Sequence, residues 1–588
     1  MPGIWEQLAQ EKKRKTEALV PKEWALPNPP PSDQLDVSHV PDQCGLLTKK
    51  EIEITNSPVG ILLANLASRI WSSVEVTTAF AKRAIIAHQL TNCLTEIFID
   101  RALVRAAWLD DQLRSTGKTV GPLHGLPISL KDQINIKDIE STMGLNNHLF
   151  LIIANRNQGY TSWIGKFAER NALLVDILES QGAVLYVKTN VPQTLMWGET
   201  FNFIFGRTAN PFNRSLTSGG SSGGEGALLG LKGSPLGVGS DIGGSIRGPC
   251  DWNGLYGLRP SFNRVPYSGS VNSMEGQEAI LSVLGPMSAN IEGVREFMKS
   301  VISAQPWNRD PMALRKKWDE NAYRLVEHGD GGQLCFGILW RDGLFHPHPP
   351  ITRALEIVKS ALLAKGHKVI DWEPYKHSEI YANADLVYGA VGDDDFLADT
   401  MPTGEPVIKT MVPRDDEPVK WPTRKLDREI PSLVPLVSGD KKLTGYELWQ
   451  VHKERRQLRA EYLEHWQATV SKTGTGRPVD VILAPVAPYA APPHGQNKAA
   501  TTYTAVWNSL DYPAFVLPVT RVSPELDPKL PPPVFYSDRD KQLYDFYEPD
   551  IFMNAPVSIQ MVGRTQEDEA VIGIAELVDK ALKEQRIA

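Results

Sequence analysis

Residues 218–247 read SGGSSGGEGALLGLKGSPLGVGSDIGGSIR, and this stretch decides both how the chain folds and where its chemistry sits. It offers two serines in glycine-rich turns, Ser221 and Ser245. An apolar, helix-like run at 227–231 follows the first turn at once, and flexible linkers do not normally open helices. A loop that ends on a helix gathers free backbone N–H groups. Upstream, GLPISLKDQ (125–133) carries Lys131 at the end of an apolar segment.

Each element has a plain reading beside its chemical one. Gly243-Gly244-Ser245 is a glycine turn with a solvated serine, or a turn whose N–H groups converge on one point and whose hydroxyl attacks a carbonyl held there. Gly219-x-Ser221-x-Gly223 invites a nucleophile-elbow reading, which needs a later histidine and acid that the sequence does not offer convincingly. No Gly-Lys-Ser/Thr follows the glycines, which excludes a phosphate-binding loop of that type. Lys131 is an exposed, paired charge or a buried base. Neutralising a lysine at pH 7 costs about 4.6 kcal/mol, a size that burial among apolar groups can supply. A neutral Lys131 could take a proton from Ser221 while Ser221 takes one from Ser245, a relay that needs no histidine.

The chain has 588 residues, 42% of them hydrophobic and 22% charged, so it is globular rather than disordered. Its net charge of −7 argues against nucleic-acid and anionic-membrane partners. No apolar run reaches the roughly 18 residues of a spanning helix, and MPGIWEQLAQEKKRK lacks a signal-peptide core, so a cytoplasmic location is expected. Cys44, Cys93, Cys250 and Cys335 are scattered and suggest neither a disulfide framework nor a zinc site. His346-x-His348, within FHPHPP, reads as a proline loop rather than a metal pair, and the acidic run 393–395 as a solvated loop.

Residues 1–56 read as a lead-in, a short charged helix and then a proline-rich extended segment. Ser57-Pro58 opens a helix over 58–70 with Ser57 as N-cap, and Ser72 with Glu75 reads as a capping box. Strands are expected at 127–131, 183–188, 335–340, 369–372, 481–484, 514–519 and 556–564, and loops at 432–438 and 530–533. A helix ends near Gly182 and an amphipathic helix closes the chain. Interleaved helices and strands argue for an α/β layered sheet.

Together GLPISLKD, GGSSGGEGAL and GSDIGGSIRGP resemble the amidase signature family of serine hydrolases. VGPLHGLPISLKDQ, YVKTNVPQTLM, GRTANP, NSMEGQE and APVSIQMVGR look like the fungal acetamidases in particular, and the likeness spans about residues 4–580. The resemblance implies one large α/β domain at 57–588, a mixed central β-sheet covered by helices on both faces. It implies that Ser245 is the acyl-enzyme nucleophile, Ser221 the bridging serine beside a cis peptide, and Lys131 the base. It further implies that Ile242, Gly243, Gly244 and Ser245 supply oxyanion N–H groups, that Ser222 and Asp241 buttress the loop, that Arg247 and Arg259 are structural partners, and that Leu195 lines the substrate channel. The implied partner is a small amide, with no cofactor and no metal, and a homodimer is compatible with the likeness.

One departure stands out. The family runs S-T-M-G directly into Y-x-S-W, whereas here STMG (141–144) and YTSWIG (160–165) are separated by residues 145–159. The insert is expected to be untranslated sequence retained in the reading frame, with a genuine loop as the alternative. The leading function is hydrolysis of an acetamide-like amide to carboxylate and ammonia. The alternatives are an amide-transfer subunit of a complex, or a catalytically impaired scaffold if the insert is real.

Overall fold

The computed structural model describes residues 3–140, 159–417, 419–423, 442–496 and 501–587. Among them eleven strands form one sheet. They are β1 (Leu94–Ile97), β2 (Pro127–Lys131), β3 (Val184–Thr189), β4 (Leu236–Asp241), β5 (Tyr256–Arg259), β6 (Val283–Ser288), β7 (Cys335–Ile338), β8 (Lys368–Asp371), β9 (Val481–Pro485), β10 (Ala514–Arg521) and β11 (Pro556–Val562). Their order is β1-β3-β2-β4-β6-β5-β10-β11-β9-β7-β8. β2 runs parallel to β3 and β4, and β7 runs parallel to β8 and β9. The remaining pairs are antiparallel, so the sheet is mixed.

Strand periodicity sorts the core onto two faces. In β10, Phe515, Leu517 and Val519 join the cluster that holds Ala570 and Ile574 of the helix Asp568–Ile587. Val516 points the other way and packs with Ile246 and Cys250 at the helix Arg247–Trp252. β9 divides likewise, with Val481 and Leu483 in one cluster and Ile482 and Ala484 in another. The molecule is one large α/β domain with helices against both faces. Leu26, Val37, Leu47 and Ile54 of the first 56 residues belong to its main core.

The apolar strands expected from sequence are present within a few residues, as is the Ser72–Glu75 capping box. Four strands of this sheet were not expected: β1, β4, β5 and β6. In β4 a Cβ on Gly237 would lie 2.1 Å from Glu225 Oε2, and in β5 a Cβ on Gly257 would lie 2.3 Å from Cys250 Sγ. Helices press so closely on this face that the strands carry glycine where a β-branched residue is the usual signal.

Three local readings are corrected. Ser57 ends the helix Lys49–Asn56, its Oγ donating to Glu53 O at 2.8 Å, and Pro58 occupies the N-cap of the helix Val59–Ala67. Pro349 and Pro350 open the helix Pro349–Ala364 instead of making a loop, because a proline in the first turn loses no helical hydrogen bond. The acidic run lies at the start of the helix Asp394–Thr400, where carboxylates favour the positive end of the helix dipole, and Asp395 accepts from Met274 N at 2.7 Å. Residues 145–158 of the insert, the STMG before it and the expected loop 432–438 lie outside the described residues.

Candidate active site

Lys131 ends β2 and Asp241 ends β4, neighbouring parallel strands, so both side chains emerge at the same edge. The turn 218–222 leads directly into the helix Gly223–Gly230, and the Gly220–Ser221 peptide is cis. Lys131 Nζ lies 2.7 Å from Ser221 Oγ and 2.7 Å from Ser240 Oγ. Among the described residues its hydrogen-bonding partners are these two hydroxyls, with no carboxylate in direct contact. Lys131 is fully buried, and burial pushes its amine well below the ordinary lysine range, although Asp241 and Glu225 pull the other way.

The second turn folds back on the first, because Ser222 N donates to Ser245 O at 3.3 Å. Ser245 is half-buried, whereas Ser221 is buried. Asp241 organises the turn by accepting from Gly244 N at 2.8 Å and Ile246 N at 3.1 Å. Arg247 Nε and Nη2 each donate to it at 3.0 Å, and Asn508 Nδ2 donates at 2.9 Å. Burial pushes the Asp241 carboxyl up, but the Arg247 guanidinium and these hydrogen bonds outweigh it and hold the group at about 2. Gly244 has φ +135°, a conformation that suits glycine, and its N–H is already given to Asp241.

Two residues outside the signature stretch hold the turn from above. Tyr388 OH donates to Ile242 O at 2.8 Å, and Thr504 Oγ1 donates to Gly243 O at 2.5 Å. In a trans peptide the N–H points away from the C=O, so fixing the Ile242 carbonyl turns the Gly243 N–H to the opposite side. Ile242 and Tyr388 also pack with Met196, Met274, Ile280 and Phe396, which closes an apolar wall beside the turn. Leu195 is buried against Val191 and Val271, next to this wall in sequence, with φ +57°. Arg259 donates to Asp511 at 3.1 Å, and its charge adds to that of Arg247 in holding the Asp241 carboxyl down.

Sequence reasoning missed Ser240, Gln133, Glu225, Tyr388 and Thr504. Ser240 and Gln133 stand inside the quoted motifs but lack any single-residue signal. Tyr388 and Thr504 come from helices far along the chain, and only tertiary structure brings them in. Glu225 lies under the site, accepting from Ser129 Oγ at 2.6 Å and Thr189 Oγ1 at 3.1 Å, and burial pushes it up to about 8. His346 and His348 do other work: His346 Nδ1 lies 2.6 Å from Asp540 and His348 Nε2 lies 3.0 Å from Leu543 O. Among the described residues no three His, Cys, Asp or Glu side chains converge as metal ligands, and no helix is long and apolar enough to cross a membrane.

Comparison with known proteins finds relatives over nearly the whole chain. The family model described as Amidase matches residues 75–572. An acetamidase of Aspergillus oryzae is 40% identical over 589 residues, covering 99% of this chain and all of its own. An acetamidase of Emericella nidulans is 40% identical, with 99% of each chain covered. Among solved structures, a fatty acid amide hydrolase superposes with a TM-score of 0.83 at 32% identity, covering 98% of this chain and 95% of its own. A 6-aminohexanoate cyclic dimer hydrolase shares the fold, with a TM-score of 0.66 at 18% identity over 90% of this chain and 97% of its own.

Proposed function

The chain belongs to the amidase family, a hydrolase of amide C–N bonds, and on that premise we propose that it cleaves small, acetamide-like amides through Lys131, Ser221 and Ser245. The observation that carries the reading is a buried amine 2.7 Å from the Ser221 hydroxyl. Held neutral, Lys131 takes the Ser221 proton as Ser221 takes that of Ser245. Ser245 Oγ then bonds to the amide carbon, and the carbonyl oxygen gathers negative charge. The N–H groups of the 242–245 turn face that charge, with Gly243 and Ser245 contributing most because Gly244 is shared with Asp241. The proton on Lys131 returns through Ser221 to the amide nitrogen, the C–N bond breaks and ammonia or an amine leaves. Water attacks the Ser245 ester by the same relay, releasing carboxylate and restoring the serine.

The apolar wall of Met196, Ile242, Met274 and Phe396 next to the turn supports a short acyl group, as do the names of the fungal relatives. On this reading residues 57–588 are the catalytic domain and residues 1–56 brace it. The test is intact mass after brief exposure to a fluorophosphonate, wild type beside Ser245→Ala, with kcat/KM measured for acetamide, hexanamide and an anilide. One adduct lost in Ser245→Ala, and acetamide preferred, are expected. Normal amide turnover by Ser245→Ala would overturn the nucleophile, and preference for the anilide would overturn the substrate class.

A further inference from the structure

A neutral amine has two N–H donors and one lone pair, and the relay works only if the lone pair faces Ser221. Hydrogen bonds around Lys131 fix that choice. Gln133 Nε2 donates to Val271 O at 2.7 Å and to Tyr267 OH at 2.8 Å. A carbonyl can only accept, so the amide nitrogen of Gln133 must face Val271 and its oxygen must face the other way. Val271 N returns a hydrogen bond to Gln133 O at 3.0 Å, which locks the two backbones together. Gln133 Oε1 then accepts the Ser240 hydroxyl at 2.5 Å. With its proton committed, Ser240 Oγ faces Lys131 Nζ, 2.7 Å away, as an acceptor. Gln133 is fully buried and Ser240 nearly so, which leaves no room for bulk water to compete. Ser222 holds Ser240 from behind, its Oγ accepting from Ser240 N at 3.3 Å.

We propose that Gln133 and Ser240 are positioning residues that draw one N–H of neutral Lys131 away and so aim its lone pair at Ser221. The chain of donors runs one way, from Ser221 O–H to Lys131, Lys131 N–H to Ser240, Ser240 O–H to Gln133 and Gln133 N–H to Val271 C=O. When Lys131 becomes protonated, the same Ser240 oxygen still accepts, so the clamp does not have to rearrange during turnover. Removing either residue frees the Ser240 proton or deletes the acceptor, and the lone pair loses its fixed direction. This rests on the Lys131–Ser221–Ser245 reading and adds a requirement to it.

The experiment compares Gln133→Leu, Ser240→Ala and Ser240→Thr with Lys131→Ala and wild type, reading kcat and KM for acetamide and the rate of fluorophosphonate labelling. Urea unfolding of each variant identifies those that fold. Gln133→Leu and Ser240→Ala are expected to lower kcat and labelling by about 10- to 100-fold with KM unchanged, because a misaligned base costs rate rather than binding. Ser240→Thr, which keeps the hydroxyl, is expected to recover most of that loss. Folded Gln133→Leu and Ser240→Ala proteins with rates within about twofold of wild type overturn the proposal. So does a loss that Ser240→Thr fails to recover. If Lys131→Ala itself labels at the normal rate, the three-residue relay has failed instead, which separates the two failures. Should Ser240→Ala not fold, Gln133→Leu and Ser240→Thr carry the same decision.

Discussion

Lys131 can act as a base only while its amine is neutral, so the pH dependence of the reaction reports its environment directly. Burial lowers its pKa well below the ordinary 10.5, against the pull of Asp241 and Glu225. The expected kcat/KM rises with pH through that lowered pKa and is flat above it. Lys131→Arg keeps the charge and cannot give up its proton, so acylation should fall by about 10²- to 10⁴-fold at every pH tested. An arginine variant that regains activity in alkali would sink the base assignment. Asp241 makes a separate prediction, on stability. Its folded pKa of about 2 is below the ordinary 3.8, so its contribution is present above about pH 3.8 and is lost as pH falls toward 2. The contribution is on the order of 2 kcal/mol, since each tenfold change in proton affinity is worth about 1.36 kcal/mol. Urea midpoints measured from pH 5 to 2 should fall more steeply for wild type than for Asp241→Asn.

At the scale of elements, β4 joins the site to the core. Gly237 faces the helix Gly223–Gly230, and a Cβ there would stand 2.1 Å from Glu225 Oε2 and 2.8 Å from Ser129 Oγ. Gly237→Ala is expected to destabilise by about 1–3 kcal/mol and to slow turnover, since Ser240 and Asp241 ride on the same strand. Differential scanning calorimetry beside kcat checks both, and an unshifted melting temperature would refute the close-packing account. Glu225 predicts a pH effect of opposite sign to Asp241. Its folded pKa of about 8 exceeds the ordinary 4.5, so stability is greatest below about pH 4.5 and declines as pH rises toward 8. Glu225→Gln should flatten that decline and be the more stable protein at pH 8. The same strand shows why part of the fold was illegible. LGVGSD has glycine where strand-forming residues are sought, because helix proximity rather than strand propensity selected it. By contrast the apolar runs of β2, β3, β9, β10 and β11 announce themselves, since both their faces are buried. The turns that carry Ser221 and Ser245 were legible by their glycine spacing, and the strand that ends in Lys131 by its apolar run. Tyr388 and Thr504 were not, because they reach the site from 146 and 261 residues away.

Across the whole molecule, the N-terminal helix Ile4–Ala18 is tied to the body by a buried charge. Lys12 is only 4% exposed, with Nζ 2.5 Å from Glu96 on β1 and 3.1 Å from Glu140. Burial pushes the Glu96 carboxyl up, against Lys12 but with Asp132 adding to the rise, and the group stands at about 7. Lys12 in turn is raised, because Glu96 and Glu140 outweigh its own burial. Breaking such a pair from one side leaves a charge without compensation, a loss of about 3–5 kcal/mol in comparable buried cases. Lys12→Met therefore should lower the urea midpoint, and the sign of its pH dependence is fixed. Without the ammonium, the folded pKa of Glu96 rises further, so folding binds a proton over a wider range and stability falls more as pH increases. The deficit of Lys12→Met relative to wild type should be larger at pH 8 than at pH 5. Glu96→Gln in the Lys12→Met background removes the stranded carboxylate and should recover much of the midpoint at pH 8. Because this tether lies on β1, separated from β2 by β3, kcat for acetamide should stay near wild type wherever the variant is folded. A deficit that is the same at both pH values would mean that Lys12 acts through packing of its hydrocarbon stem rather than through its charge.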